Sequence, residues 1–581
     1  AAMDGIAVRA DDTFGATEFE PIILDLRAGE SPRRFAFVDT GSALPPWANA
    51  VMMIERVYRL DESRVEIREA ATPWQHVRLV GEDVVATEPI VPRGHRLRPP
   101  DLAALLAAGV TELSVAARPR FAILPTGSEL VEPGAVAEPG RVIEFNSRML
   151  AAYLTDWGAE AVRLPPVPDD PAALERSIRG ALADHDALLV IAGSSAGERD
   201  FTVDVVQKLG EVLAHGIDVM PGKPAILAVA AEKPLVGIPG YPVSAAVIAQ
   251  ELVRPLVARL LGAPAEAPQV VEATVPRKIP SRLGLEEIVR VTLGRVGGRL
   301  VANPLGRGAG IITTMVKADG ILRIPARVEG LNAGETVQVE LLRPPAEIEG
   351  TILATGSHDL SISVLEDCLK RSHPEARISA TNVGSIGGLV ALGRGEAHLA
   401  GCHLLDAASG EYNLADVDRL LSGVSIRVVN LVRRRQGLIV ERGNPLRIRG
   451  LEDLGRKDVR FVNRQPGAGT RVLLDARLAK IGLRPEEVRG YEREELTHMG
   501  VAVAVRSGLA DAGLGIHQAA VALGLEFVPI ETEDYDLVMR EEFAESRMGE
   551  LLLATVRSSA FAEAVAALAG YDTSLTGTVK R

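Results

Sequence analysis

Short runs in which apolar and polar positions alternate fill residues 11–88: PIILDL, RFAFVD, AVMMIERV and SRVEIRE, each broken by Gly or Pro. Successive side chains of a strand point to opposite faces, so this spacing predicts a small β-rich unit. A connector over 89–117, punctuated by Gly94, Pro99 and Pro100, runs into the helical stretch DLAALLAAG. From 118 to 262 the rhythm changes. RFAILPTG and ALLVIAG are continuous apolar runs that end in Gly/Ser loops, and amphipathic helices are predicted between them at 146–157 and 171–184. Buried strands alternating with helices predict a parallel, doubly wound sheet, with ligands at the loops beyond the carboxyl ends of the strands.

Residues 268–343 return to short strands (VVEATVP, EIVRVTLG, GILRIPA, ETVQVELL) at turn spacing, which predicts a small β barrel or sandwich. RPPAEIEG at 343–350 reads as a linker. A second α/β rhythm begins at TILATGSHDL and continues through ISATNVGS, AHLAGCHLL, IRVVNLV, QGLIVERG, VRFVNRQPGAGTR and AAVALGLEFVPI. Roughly 230 residues exceed one ordinary domain layer, so two lobes hinged about a cleft are expected. The fold class is therefore multidomain α/β: a β-rich region at 1–117, an α/β domain at 118–265, a β barrel at 266–343, a linker at 344–350 and a two-lobed α/β domain at 351–581.

Composition supports this division. Apolar residues make up 47% of the 581, charged residues 24% and aromatics 4%, so the cores are built from Ala, Val, Leu and Ile, as suits buried parallel strands. The net charge is −13, with no basic block beyond Arg433-Arg434-Arg435. Binding to duplex nucleic acid requires a positive footprint, so no nucleic-acid partner is expected. An acidic protein binds anions locally, through amides and a few placed cations. Cys368 and Cys402 form no CxxC pair and read as buried thiols in a reducing cytosol. No apolar stretch reaches the roughly 18 residues that span a bilayer, and the N-terminus has no signal-peptide pattern. A cytoplasmic location without membrane association is expected. The chain opens inside a motif without an initiator Met, so upstream residues are expected as well.

Three segments carry candidate chemistry in the first half. RPRFAILPTGSELVEPG ends a buried strand in Thr126-Gly127-Ser128, a tight loop of amides and hydroxyls suited to an anionic headgroup, with Glu129 just beyond to hold a cation or orient an amide. An ordinary helix cap explains the loop equally well when it is taken alone. ALLVIAGSSAGERD repeats the design with Gly193, Ser194, Ser195 and Gly197, followed by Glu198 and Asp200. Small residues admit a ligand close to the main chain, and such a carboxylate pair suits Mg²⁺ beside a phosphate. Pro221-Gly222-Lys223 sets a lysine on a rigid turn, and Pro239-Gly240-Tyr241-Pro242 sets a second rigid turn one hairpin later.

AAMDGIAVRA, TGSALPPWANAVMMIE, GED, TGSELV, AGSSAGERD, PGKP and IPGYPVSA stand in the order and spacing of the molybdopterin molybdenumtransferase (MoeA/gephyrin) family, which residues 1–343 resemble. ADGILRIP and LNAGETVQVELL resemble that family's terminal β domain. The resemblance implies an enzyme that inserts molybdate, or tungstate, into adenylylated molybdopterin and releases AMP with Mg²⁺ assistance. By motif position it implies that Asp4 and Asp83 line the cleft, in a homodimer. Glu129 and Asp200 then serve nucleotide and metal, with Glu198 beside them, and Lys223 serves the phosphate or the oxyanion. The molybdopterin adenylyltransferase is an implied partner. Several positions depart from the family's pattern. Gly216 and Met220 replace its common lysines, Ala192-Gly193 replaces a Gly-Gly pair, Ser128 stands in its TGDEL motif, and Tyr241 stands in its PGNP motif.

The C-terminal part resembles type II periplasmic-binding-like domains, of the sort found in LysR-type effector modules and in molybdate or tungstate carriers, through NRQPGAGTR and HLAGCHLLD. Candidate ligand residues are Thr355 and Ser357 at the end of one strand, Ser385 before a helix, and Arg464, Thr470 and Arg471 around a Gly turn. Each is as well explained singly by a capped helix start; together they describe a cleft for a tetrahedral oxyanion. His398 and His403, five apart with no third ligand, are not expected to hold metal. Gly306-Arg307-Gly308-Ala309-Gly310 lies among β segments and reads as a turn. Two alternatives to the enzyme stand: a non-catalytic sensor of oxyanion or cofactor, and a transcription regulator, which the acidic charge disfavours.

Overall fold

The computed structural model describes residues 1–26, 32–136, 138–192, 201–264, 267–406 and 409–581. Two compact units result, residues 1–117 and 118–581.

In the first unit, Ala36–Val38, Gly5–Val8 and Ala50–Met53 form one antiparallel sheet, and Ile22–Asp25, Arg64–Ile67 and Val57–Arg59 form another. Ile6, Val8, Leu24, Met52, Val65 and Ile67 fill a shared core. The helix Pro99–Ala107 starts with proline in its first turn, and the Asp101 carboxylate accepts from the Arg98 amide at 2.7 Å. Both features satisfy or remove amides that a first helical turn leaves unpaired.

The second unit begins with the sheet Glu160–Arg163, Arg120–Pro125, Ala187–Ala192, Lys233–Pro239, Ile226–Ala230, Gly210–His215. Alternate residues of its strands enter two cores. Phe121, Ile123, Leu189, Ile191, Val236 and Ile238 face one side; Ala122, Leu124, Leu188, Val190 and Leu235 face the other. Such double burial makes the strands continuous apolar runs rather than alternating ones. The helices Asn146–Asp156 and Pro171–Asp184 occur as predicted, the latter capped by Asp170, which accepts from the Ala173 amide at 2.6 Å. The sheet is not wholly parallel. Ile226–Ala230 runs antiparallel to Lys233–Pro239 because Ala231 and Glu232 both take positive φ (49° and 59°), a two-residue hairpin turn.

Glu286–Val296, Arg299–Pro304, Val270–Thr274, Thr336–Leu341 and Gly320–Ile324 pair in sequence and close on themselves as a barrel, with Val219–Met220 added beside Glu286 and Glu287. Residues 345–349 are helical, and Ile348 enters the barrel core. The segment read as a linker is thus a docked element. Leu353 packs against Val296 and Val301, and a Cβ on Gly294 would lie 2.5 Å from Leu353 Cγ. The buried Asp319 carboxylate accepts from Arg377 at 2.6 Å and from the Leu293 amide at 2.8 Å. His398 accepts the Leu353 amide at Nδ1 (2.9 Å), so its proton lies on Nε2 and is donated to the Arg295 carbonyl (2.9 Å).

The last sheet runs Arg377–Asn382, Thr351–Gly356, Leu399–Cys402, Glu526–Arg540, Ile426–Val440, Ala512–Ile516, Phe461–Arg464, Glu494–Glu495. Its two long antiparallel strands, Ile426–Val440 and Glu526–Arg540, cross from one lobe to the other. Separate cores flank them: one holds Ile352, Leu365, Leu399 and Leu537, the other Leu438, Phe461, Leu474 and Leu514. Register slips between Asn430 and Val432 and between Gln436 and Gly437 interrupt the crossing pair. Among the described residues no helix is long and apolar enough to cross a membrane.

Candidate functional site

In the α/β domain, register brings three strand ends together. Ile191 pairs with Pro125, and Ala192 pairs with Pro239, so the carboxyl ends of these three strands lie side by side. Thr126 donates both its amide and its hydroxyl to the Ile191 carbonyl at 2.9 Å. The Gly127 amide goes to Val167 (3.0 Å), and the Ser128 amide goes to the Asp169 carboxylate (3.1 Å). These three amides, expected to cradle an anion, are satisfied within the fold. The exposed Glu129 carboxylate instead folds back over Gly127, where a Cβ would meet both of its oxygens at 2.8 Å. Gly193, Ser194, Ser195, Gly197, Glu198 and Asp200 lie outside the described residues.

Pro221 and Gly222 are buried on the loop between Gly210–His215 and Ile226–Ala230, and Lys223 on the same loop is exposed. Gly222 holds φ 134°, and a Cβ there would meet Ile248 at 2.7 Å. Pro239 and Pro242 are buried, and Asn146 fixes the Gly240 carbonyl at 2.7 Å. The Gly306–Gly310 turn, dismissed on sequence grounds, lies beside these strand ends: the Val243 amide donates to Ala309 O at 3.0 Å. Arg290, buried, holds the turn by donating to Gly306 O at 2.6 Å. In the first unit Asp4 is exposed and accepts from the Thr40 amide (2.6 Å) and hydroxyl (2.7 Å). The hydroxyl first and then the amide lower its pKa. Asp83 is exposed.

The C-terminal lobes enclose a denser cluster. Arg434, fully buried on one crossing strand, donates through Nη1 to Asp359 and through Nε to Glu533 at 2.5 Å. Glu533 also accepts from Gln436 Nε2 (2.7 Å) and pairs with His403 Nδ1 (3.0 Å). His403 Nε2 lies 2.8 Å from Ser357 Oγ. Gly469 opens the helix Gly469–Ile481 against the imidazole; a Cβ there would lie 2.6 Å from His403 Cε1. Thr470 Oγ1 accepts from Gln436 at 3.2 Å, and Ser385 Oγ accepts from the His403 amide at 3.3 Å. Arg464 Nη1, Arg434 Nη2, His498 Nδ1 and Thr355 Oγ1 are buried without a hydrogen-bond partner among the described residues. Buried polar atoms are nearly always paired, so a group of orphaned ones marks a place for ligand or water.

Electrostatics bind this cluster together. Burial raises the Glu533 pKa, but Arg434 and His403 outweigh it and hold the group at about 2. Burial lowers Arg464 to about 10, with help from Arg434. His498 falls well below its usual value through burial and then the charges of Arg464, Arg434, His403 and His358. Burial and Arg434 lower His403 despite the opposing Glu533. Arg471 is engaged elsewhere: it pairs with Glu494 and lies 4.7 Å over the Tyr491 ring.

Family models match residues 1–109 (MoeA N-terminal region, domains I and II), 122–259 (probable molybdopterin binding domain), 272–342 (MoeA C-terminal region, domain IV) and 366–557 (PBP superfamily domain). Molybdopterin molybdenumtransferase 2 of Mycobacterium tuberculosis is 33% identical over 58% of this chain and 87% of its own length. The chain belongs to the molybdopterin molybdenumtransferase family. The molybdopterin molybdenumtransferase of Haemophilus influenzae is 28% identical over 58% of this chain and 86% of its own. A crystal structure of the molybdopterin biosynthesis MoeA protein from Pyrococcus horikoshii is 34% identical, covers 59% of this chain and 87% of that one, and has a TM-score of 0.50. The chain is thus a member of a transferase family of molybdenum cofactor biosynthesis with a PBP-like domain after its MoeA portion.

Within this molybdenumtransferase-family chain, five of the six C-terminal candidates (Thr355, Ser357, Ser385, Arg464 and Thr470) lie in or beside the buried cluster. Sequence reasoning missed its central members, His403, Arg434, Gln436, Glu533 and His498. One signal was available: the charged run RRRQ interrupts a strand that is otherwise apolar, IRVVNLV…GLIV. A charged residue in a buried strand requires a partner, and the acidic run ETEDYD in the other crossing strand supplies it.

Proposed function

We propose that this protein inserts molybdenum or tungsten, supplied as the oxyanion, into adenylylated molybdopterin with release of AMP, and that its C-terminal module, residues 351–581, binds the oxyanion. The observation that carries the first part is the alignment of Pro125, Ala192 and Pro239 at one sheet edge, where doubly wound folds hold their ligands. Residues 1–117, 118–265 and 266–343 form the inserting portion, working as a homodimer in the cytoplasm on substrate made by an adenylyltransferase. Thr126, Gly127, Ser128, Gly193, Ser194, Ser195 and Gly197, with Pro221, Gly222, Pro239, Gly240 and Pro242, bind the adenylylated molybdopterin.

Glu198 and Asp200 have the hard oxygen donors that Mg²⁺ takes; bound there, the ion supplies charge neutralisation at the departing phosphate. Glu129 orients the nucleotide and Lys223 offsets the charge of phosphate or oxyanion; Asp4 and Asp83 are the further catalytic carboxylates of the inserting portion. For the C-terminal module, the support is the pair of buried guanidinium donors, Arg464 Nη1 and Arg434 Nη2, that have no partner among the described residues, since a buried donor gains most from an anion that accepts from it.

A second reading is a non-catalytic sensor. It is favoured by the uncharged Gly216, at φ 90°, and Met220, which lies in the Val219–Met220 strand, where the resemblance places lysines. The deciding experiment is AMP release from adenylylated molybdopterin by the full chain with Mg²⁺ and molybdate, alongside Asp200→Ala. Release that Asp200→Ala abolishes supports insertion. Release that survives the substitution overturns the site assignment, and no release by the parent chain leaves the sensor.

A further inference from the structure

Ser357, His403 and Glu533 form a hydrogen-bonded relay from the edge of the C-terminal cleft to its buried interior. Ser357 Oγ lies 2.8 Å from His403 Nε2, and His403 Nδ1 lies 3.0 Å from Glu533 Oε2. Ser357 is partly exposed, whereas His403 and Glu533 are 2% and 1% exposed. Ser357 is therefore the member of the relay nearest to solvent.

The proton positions follow from the partners. Glu533 accepts from Arg434, Gln436 and His403, and an ionised carboxylate only accepts. His403 Nδ1 must then carry a hydrogen. In a neutral imidazole the other nitrogen is bare, so Nε2 accepts the Ser357 hydroxyl proton. In that state Ser357 turns only lone pairs toward the cleft. A fully ionised oxyanion also offers only acceptors, so the two repel each other.

We infer that binding of an ionised tetrahedral oxyanion in this cleft takes up one proton from solvent, which His403 Nε2 holds. This rests on the oxyanion reading of the cleft given above. With that proton in place, Nε2–H donates to Ser357 Oγ, and the serine O–H bond, unbroken, rotates to donate to the ligand. No other bond is made or broken, and the complex gains one proton.

The charges around His403 make the uptake favourable only with ligand present. Glu533 and Tyr535 face it from one crossing strand and Arg434 from the other; Arg464 faces it from the Phe461–Arg464 strand and His498 from the helix His498–Arg506. The ionised groups in the cluster balance, two carboxylates (Asp359, Glu533) against two guanidiniums (Arg434, Arg464). An added cation at His403 is then opposed by both arginines. A dianion leaves the pocket with an uncompensated charge of two, and a proton on His403 removes half of it at short range, in a medium of low dielectric.

The test is calorimetric titration of the full-length protein with molybdate in buffers of different ionisation enthalpy, from pH 6 to 9. About one proton taken up per molybdate is expected, with Kd rising about tenfold per pH unit once His403 is neutral in the free protein. In His403→Gln, which cannot take the proton, uptake at this site disappears and the pH slope flattens. Ser357→Ala, at the open end of the relay, provides a second variant without burying new volume, and its pH slope also flattens. Molybdate binding with no proton uptake, or uptake unchanged in both variants, overturns the relay and leaves the oxyanion site standing. Absence of molybdate binding at any pH overturns the oxyanion reading itself, and the relay with it.

Discussion

Arg434 and Glu533 stand opposite each other on the two crossing strands, Nε to Oε1 at 2.5 Å, and neither side chain reaches solvent. Arg434 also holds Asp359. Arg434→Met removes the shared cation and leaves two carboxylates buried without it. The expected loss is about 3–5 kcal/mol, confined to the C-terminal lobes. Hydrogen exchange checks it: amides of Ile426–Val440 and Glu526–Arg540 should lose protection while those of Arg120–Pro125 keep theirs.

Acid should weaken the same lobes. Glu533 is held at about 2, below the roughly 4.3 of an unfolded glutamate. A depressed carboxylate stabilises the fold fully above its unfolded pKa, and that contribution is lost as pH falls toward the folded value. Unfolding followed between pH 5 and 2 should steepen through this window, and Glu533→Gln should flatten the curve there.

His498 has a second window at higher pH. Burial and the neighbouring Arg464, Arg434, His403 and His358 depress its folded pKa, so the unfolded chain takes a proton that the folded chain refuses. Stability falls as pH drops below about 6.5. His498→Asn should remove that part of the slope between pH 7 and 5, measured as the denaturation midpoint of the C-terminal lobes.

Leu353 ties the barrel to the first strand of the C-terminal sheet, filling the space above Gly294 beside Val296 and Val301. Leu353→Ala leaves a cavity and should cost about 2–5 kcal/mol. Limited proteolysis should then cut within 343–350, a segment that Ile348 otherwise keeps docked.

Gly5 in the first unit lies against the neighbouring strand so closely that a Cβ would sit 1.9 Å from Met52 O. Gly5→Ala must push apart the pairing of Gly5–Val8 with Ala50–Met53. An overpacking cost of about 1–3 kcal/mol is expected, visible as faster exchange of the Ile6 and Val8 amides with the second unit unaffected.

Much of the architecture is local in origin and is legible in the sequence. The RFAILP and ALLVIA runs specify buried strands because both faces of each are covered, and Pro171 with Asp170 before it specifies a helix start from neighbouring backbone groups alone. The antiparallel edge of that sheet was less legible, since it turns on Ala231 and Glu232, two residues with no strong preference for positive φ. The docking of 345–349 was hidden for a different reason: two prolines and three charged residues in RPPAEIE read as exposed chain, and only the barrel's open core beside Ile348 makes the segment a helix.

The C-terminal cleft divides in the same way. Sequence by itself determined the strand-end hydroxyls, the Gly turn and Arg464, because these lie at helix starts and strand ends marked by their own neighbours. Tertiary structure alone decided which of Arg433, Arg434 and Arg435 is buried, since a register slip on each side of the run sets the face that each presents. It also joined His403 to Glu533, 130 residues away. Hydrogen bonds act over about 3 Å, and only the folded crossing of two strands brings groups so distant in the chain within that reach.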